Sequence, residues 1–356
     1  MSGTTIIAEA GVNHNGSIDM ALAMVEAASE AGADVVKFQT FDSGAMVSRY
    51  AQKAAYQKES TDAAESQLEM IRQYELSEDD HARIIKKCDA CGIEFLSTPF
   101  DIPSLELLER LGPKSYKLSS GDVTNWPLIH RIGMTEKPLI MSTGMSTLDE
   151  IRGALGIFLL GALEPSQRPD EKRALDIFFS AQGRAYLEKS VTLLHCTTQY
   201  PTPLEDVNLL AMDLLREEFG LPVGYSDHSQ GIFVSICAAA KSAAVIEKHF
   251  TLDKNLPGPD HKASVTPSEL AELVLEVRRV ERILGKKEKT VAASEAENVD
   301  VARKSLVALK DISEGEFFSH GNLGVKRPGG GVSPTKYWAY IGKIADRGYA
   351  QDEPIR

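Results

Sequence analysis

Residues 191–250 read VTLLHCTTQYPTPLEDVNLLAMDLLREEFGLPVGYSDHSQGIFVSICAAAKSAAVIEKHF. Three largely apolar runs stand out, Val191–Thr197, Leu221–Asp227 and Ala244–Phe250, and most runs of this kind in the chain are too apolar to alternate. That texture belongs to strands covered on both faces. Asp206–Phe219 and Gln230–Ser242 lie between them with helical spacing of apolar residues. The unit recurs upstream, with runs at Thr5–Ala10, Asp34–Thr40, Glu94–Phe100, Ser115–Ser120 and Pro138–Thr143 and helical stretches such as Ser17–Ala31, Asp101–Leu111 and Ser146–Leu160. Ile18, Ala21, Leu22 and Val25 form the apolar stripe of the first helix. Eight strand units separated mostly by helices predict an α/β fold with parallel pairing, and eight is the number that closes a (β/α)8 TIM barrel. A doubly wound open sheet shares the pattern, but no G-x-G-x-x-G follows the first strand, so dinucleotide binding loses its main support.

The chain has 356 residues, 43% apolar and 25% charged, which excludes wholesale disorder and collagen-like architecture. A formal charge of −12 argues against a nucleic-acid binder. No run is long and apolar enough for a membrane span, and MSGTTIIAEAG lacks the basic start of a secretion signal, so a cytosolic, cytoplasmic location is expected. Four cysteines make no disulfide framework, and the Cys88–Cys91 pair has no partner pair for zinc, so both read as helix thiols. Phe41–Glu75 is a long polar segment and Gly161–Lys189 an insertion; each is either a cover for the site or decoration. The barrel is expected over 1–285, ending in the helix Pro267–Leu284, and 286–300 reads as a linker. Residues 301–356 read as a small β-rich domain with segments at Lys304–Leu309, Glu316–Phe318 and Asn322–Val325.

A (β/α)8 barrel builds its site where the strands end. Those ends carry Glu9, Lys37, Gln39, Thr98, Lys117, Ser119, Ser120, Ser142, Thr143, His195, Thr197, Tyr200, Ser226, Asp227, His228, Glu247, Lys248 and His249. Polar groups at every strand end favour an enzyme over a binding or scaffold protein. Lys37 and Lys117 sit inside apolar runs, where a lysine needs an anion. With Thr98, Ser120, Ser142 and Ser226 they can cradle a phosphate or carboxylate; alternatively they are structural ion pairs with Glu9 or Glu247. His228 and His249 end consecutive strands and suit a divalent metal, with Asp227 and Glu247 able to ligate or orient them. Glu9, in a strongly apolar strand, has either a raised pKa and a proton-transfer role or a cationic partner. Tyr200 either points at the site or packs, and Asp260 either accepts sugar hydroxyls or caps the next helix.

AEAGVNHNG (8–16), DVVKFQTF (34–41), FLSTPFD (95–101), YKLSSGD (116–122), LIMSTGM (139–145), LLHCTTQYPTP (193–203), GYSDHS (224–229), EKHFTLD (247–253), GPDHKAS (258–264) and VKRPGGG (325–331) together resemble the sialic acid synthase family, in order over nearly the whole chain. The resemblance implies a transferase that condenses phosphoenolpyruvate with an N-acetylated mannose-type sugar and water, releasing phosphate. It implies a barrel followed by an antifreeze-like (SAF) domain, and a domain-swapped homodimer in which that domain caps the partner's barrel. It assigns His228 and His249 to the metal, with Mn2+ usual and Mg2+ possible. It assigns Lys37, Thr98, Lys117, Ser120, Ser142 and Ser226 to phosphoenolpyruvate, and Glu9, Gln39, Tyr200, Asp260 and Arg327 to the sugar's surroundings. Asp122 stands where some members have Glu, and with Glu9 it is a candidate for moving protons. Thr198 stands where some have Asn. N-acetylmannosamine, giving N-acetylneuraminate, is the first expectation for the sugar. A diacetamido sugar giving legionaminate, or an isomer giving pseudaminate, is the alternative. A metal-dependent hydrolase is disfavoured because no H-x-H pair follows the first strand; a non-catalytic polysaccharide-assembly protein should have lost some of the strand-end lysines or histidines, and this chain keeps them.

Overall fold

The computed structural model describes residues 3–53 and 65–356. It divides into two compact units, Met1–Gly285 and Lys286–Arg356.

In the first unit the eight predicted strands form: β1 (Thr5–Gly11), β2 (Val35–Thr40), β3 (Glu94–Pro99), β4 (Tyr116–Leu118), β5 (Leu139–Ser142), β6 (Val191–His195), β7 (Val223–Asp227) and β8 (Val245–His249). The ladder runs β3-β2-β1-β8-β7-β6-β5-β4, all parallel. Pairing of β1 with β8 bends the sheet round on itself, and β3 lies against β4 without a ladder. The open-sheet alternative is thereby set aside, because a doubly wound sheet leaves its two flanking strands apart, whereas β3 and β4 meet here.

Side chains alternate across each strand. Ile7, Val35, Leu96, Ile140, Leu194 and Val245 pack together as an apolar plug inside the barrel. Positions of opposite parity, such as Ile6, Ala8, Val36, Tyr225 and Ile246, join the larger core shared with the helices. Two residues beyond the plug, the inward positions become Glu9, Lys37, Thr98, Ser142 and Glu247. The apolar layer therefore forms the floor on which the polar layer stands.

Helix starts follow local chemistry. The Ser17 side chain accepts from Met20 N and opens Ile18–Glu30, whose buried face is Ala21, Met24, Val25 and Ala28. This face is turned slightly from the expected stripe, with Ile18 and Leu22 at its margin. Thr266 and Glu269 form a capping box at Pro267–Leu284. Among the described residues no helix is long and apolar enough to cross a membrane.

The insertion 161–189 is helical rather than looped. Glu171–Phe179 and Ala181–Ser190 pack beside Leu148–Leu163, so closely that a Cβ on Gly156 would lie 2.2 Å from Ala174 O. Phe158, Ile177 and Phe178 join the main core, which makes this segment part of the barrel's outer layer. In the 41–75 segment, the described parts hold two short helices, Ser43–Met46 and Gln67–Arg72. They bring Phe41, Met70 and Tyr74 against Val12, with Met46, Ile71 and Phe100 beside them. The segment is polar by composition but apolar where it packs; its residues 54–64 lie outside those described.

In the second unit β9 (Ser305–Ala308) pairs antiparallel with β10 (Leu323–Lys326) over a small core of Leu306, Ile312, Phe318, Leu323, Tyr349 and Ile355. The expected strand at 316–318 is a single bridge, Phe317 to Ile344. The segment expected as a linker ends in a helix, Ala296–Ala302, and Asp300 O accepts from Gly329 N.

Candidate active site

At the carboxyl ends of the strands lies a cavity of about 300 Å³. Its wall includes Glu9, Lys37, Gln39, Thr98, Lys117, Ser120, Ser142, Tyr200, Ser226, His228, His249 and Asp260. Every residue that the family resemblance assigned to the metal, to phosphoenolpyruvate or to the sugar lies on this wall except Arg327; Asp122 and the strand-end residues Thr143, His195, Thr197, Asp227 and Lys248 do not. Asp122 lies just outside, accepting from Ser119 Oγ and from Asn125 Nδ2, and burial raises its pKa. Arg327 belongs to the second unit, where its Nε donates to Ala302 O.

Lys37 Nζ is 2.7 Å from Glu9 Oε2 and 3.6 Å from Glu247 Oε2. It also reaches Thr98 Oγ1 at 3.4 Å. Lys117 Nζ donates to Ser142 Oγ at 2.7 Å and lies 4.0 Å from Glu247 Oε1. Both lysines therefore have carboxylate neighbours, as the ion-pair alternative expected, and both face the cavity, as the anion-cradle reading required. The environments separate the two acids. Burial raises Glu9 against the pull of Lys37, with the charge of Glu247 adding to the rise. Burial also works on Glu247, but Lys117 and Lys37 overcome it and hold that carboxyl at about 2. One carboxylate is thus the fixed counter-charge and the other is suited to carry a proton. Lys37 is held above its ordinary value because Glu247 and Glu9 outweigh burial, whereas burial lowers Lys117.

Strand β1 is bulged between Glu9 and Gly11. Gly11 has φ of +53°, and a Cβ there would stand 3.2 Å from Glu9 Oε1 and 3.3 Å from Gln39 Nε2. Those two side chains are hydrogen-bonded at 3.1 Å, so the glycine makes room for the pair. At the other side of the cavity, Gly144 N donates to Ser120 Oγ at 3.0 Å.

His228 and His249 face each other with ring centroids 5.6 Å apart. The 2.7 Å contact of His228 Nδ1 with Thr197 O makes that nitrogen the donor and leaves Nε2 its lone pair. His249 Nδ1 is buried and without a hydrogen-bond partner, 3.8 Å from Asp260 Oδ2. Burial lowers the pKa of both rings, which keeps them in the neutral, ligating form. His228 Nε2 meets only Ser226 Oγ, at 3.4 Å, and that hydroxyl gives its proton to Glu247, so an unsatisfied buried nitrogen beside an available lone pair fits a divalent cation. Among the described residues no group of three or more His, Cys, Asp or Glu is placed to hold a metal, so most coordination positions would be left to water and substrate. The Tyr200 ring lies 4.2 Å from that of His228, so the tyrosine points at the site. Asp260 makes no side-chain cap, lines the cavity, and is raised to about 7 by burial and by the charge of Glu9.

Asp227 is a correction. Ser226 and His228 face inward, so the residue between them faces out, where Asp227 meets Ser229, Ser235 and Lys248 rather than the histidines. Of the two carboxylates expected beside the histidines only Glu247 lines the cavity, and its Oε1 accepts from Ser226 Oγ at 2.8 Å. His195 and Thr197 are likewise turned away, bonded to Val207 O and Asp206 O. The apolar wall formed by Val12, Phe41, Met46, Met70, Ile71 and Tyr74 was missed. Its members come from dispersed pieces of a polar segment, and no periodicity marks them.

With the geometry in place, comparison with known proteins becomes informative. The model of the NeuB family matches residues 24–289, and that of the SAF domain residues 303–356. The chain belongs to the NeuB family. Within it, the chain is 46% identical over 356 residues to the N,N'-diacetyllegionaminic acid synthase of Campylobacter jejuni, covering 100% of both. It is 42% identical to the enzyme of that name from Legionella pneumophila, covering 95% of this chain and 89% of the other. Among solved structures, the N-acetylneuraminic acid synthetase of Leptospira borgpetersenii aligns with a TM-score of 0.69 at 32% identity, over 84% of this chain and 90% of that one. The NeuB match agrees with the family resemblance of the ten motifs.

Proposed function

We propose that this chain is a transferase joining phosphoenolpyruvate, a 2,4-diacetamido-2,4,6-trideoxymannose and water into N,N'-diacetyllegionaminate and phosphate. The observation that carries the choice of sugar is the 46% identity, end to end, to a synthase bearing that product's name. It puts the alternative ahead of N-acetylmannosamine. The apolar wall agrees with it: a 6-deoxy sugar ends in a methyl group, which suits Phe41, Met46 and Met70 better than a hydroxymethyl does.

In this reading C3 of phosphoenolpyruvate bonds to the aldehyde carbon of the open-chain sugar. Water adds at C2 and gives up one proton, which ends on the former aldehyde oxygen; the C2 hydroxyl then loses the other as the C2=O bond forms and the C2–O bond to phosphate breaks, its electron pair and that proton leaving with phosphate. Lys117, with Ser142, Ser120 and Gly144 N–H, holds the anionic substrate. Lys37, Thr98 and Ser226 complete that side. Glu9 supplies and recovers the proton; its place on the cavity wall favours it over Asp122. Gln39 orients Glu9, and Asp260 with Tyr200 meets the sugar. His228 and His249 would hold a divalent cation, Mn2+ before Mg2+, which supplies Lewis-acid polarisation when bound.

The reading extends to a cytosolic homodimer in which residues 301–356 of one chain cap the other's barrel and Arg327 reaches the sugar's N-acetyl group. The family resemblance is its support. The test is phosphate release from phosphoenolpyruvate with Mn2+, comparing the diacetamido sugar with N-acetylmannosamine, each with an EDTA control. Faster metal-dependent release with the first is expected. Faster release with N-acetylmannosamine overturns the sugar, and none with either favours a non-catalytic assembly protein.

A further inference from the structure

On the helix-facing side of the strands, directly behind the two imidazoles, lies a charged cluster that the cavity does not use. The outward residues lower on β7 and β8, Val223, Tyr225 and Ile246, are part of the main core. The next outward residues are Asp227 and Lys248, opposite each other in the ladder and 1% and 0% exposed. Asp227 Oδ2 lies 3.1 Å from Lys248 Nζ and accepts from Ser235 Oγ at 2.6 Å. Its Oδ1 accepts from Ser229 N at 2.8 Å and Ser229 Oγ at 2.6 Å, and Lys248 Nζ also donates to Ser229 O. Asp227 and Ser229 flank His228, and Lys248 precedes His249. The cluster therefore grips the backbone on either side of one imidazole and immediately before the other.

Packing alone does not account for these charges, because apolar residues of similar volume in such a place are often equally or more stabilising. We propose that Asp227 and Lys248 form the positioning pair of the metal site, fixing the ends of β7 and β8 so that His228 and His249 converge on one cation. The inference rests on the reading of the two histidines as metal ligands.

The experiment measures Mn2+ affinity of the metal-stripped full chain, from the electron paramagnetic resonance signal of free Mn2+, beside thermal unfolding of the same samples. The double variant Asp227→Asn/Lys248→Met removes both charges together and leaves no unpaired charge. It should unfold cooperatively, bind Mn2+ about tenfold or more weakly, and regain turnover as Mn2+ is raised. His228→Ala, run in parallel, should lose the tight site. A folded double variant with wild-type Mn2+ affinity, where His228→Ala has lost it, overturns the positioning role alone. Mn2+ binding indifferent to His228→Ala overturns the metal reading and this inference with it. Should the double variant fail to fold, Ser235→Ala decides, since it removes only one hydrogen bond to Asp227: weaker Mn2+ binding at unchanged melting temperature supports the role, and unchanged binding overturns it.

Discussion

Glu9 Oε2 stands 2.7 Å from Lys37 Nζ at the cavity wall, and this contact joins the carboxylate proposed to move protons to a lysine of the proposed anion cradle. Glu9→Gln keeps the shape and the Gln39 contact but cannot take up a proton. Turnover should fall by about a hundredfold or more, with the KM of phosphoenolpyruvate changed little and the melting temperature retained. Near-normal turnover would return the role to Asp122.

Gly144→Ala tests the anion cradle. A Cβ there would lie 2.6 Å from Thr198 Oγ1 and 2.9 Å from Ser120 Oγ and Cys196 Sγ. Overpacking of that kind is worth about 1–3 kcal/mol, so the KM of phosphoenolpyruvate should rise by about tenfold or more. The sugar KM should stay close to wild type. Steady-state kinetics with each substrate varied in turn will separate the two; equal rises would place the cradle elsewhere.

Arg327→Ala tests the swapped cap. Losing a charged hydrogen bond to the sugar should raise its KM by roughly tenfold, and phosphoenolpyruvate should bind as before in calorimetry. Matched losses for both substrates would argue against the cap.

His14 gives a pH dependence of stability. Its ring is buried and burial lowers its pKa from 6.5 to about 4. The unfolded chain takes up this proton from pH 6.5 downward while the folded chain resists it, so this contribution is full above 6.5 and is lost as pH falls toward 4. The loss is about 3 kcal/mol. Urea unfolding at pH 7 and pH 4.5 should show a smaller acid loss for His14→Gln than for wild type; parallel losses would assign the effect to other groups.

The barrel and most of its site were legible in the chain because two simple periods carried them. Continuous apolar runs marked strands buried on both faces, and the polar residues of inward parity at their ends line the mouth. The reading of Asp227 failed where it used adjacency instead of parity: a residue between Ser226 and His228 on a strand faces the helices. Glu247, read both as an ion-pair partner of the lysines and as a carboxylate able to ligate or orient the histidines, shares the parity of His249 and lies inside. Met46, Met70 and Tyr74 were beyond reach, because they meet only through tertiary packing of short helices. The linker reading of 286–300 stopped short of the helix Ala296–Ala302 for a related reason: seven residues with no buried face leave no apolar stripe to detect.

The pairing of β1 with β8 sets Glu9 beside His249, so the barrel's first and last strands meet in one cavity wall. A nascent chain on the ribosome holds Glu9 from the outset, yet it has no working centre until the final strand has emerged and docked. Shortened or half-made copies therefore lack the part of the cavity wall that β8 supplies.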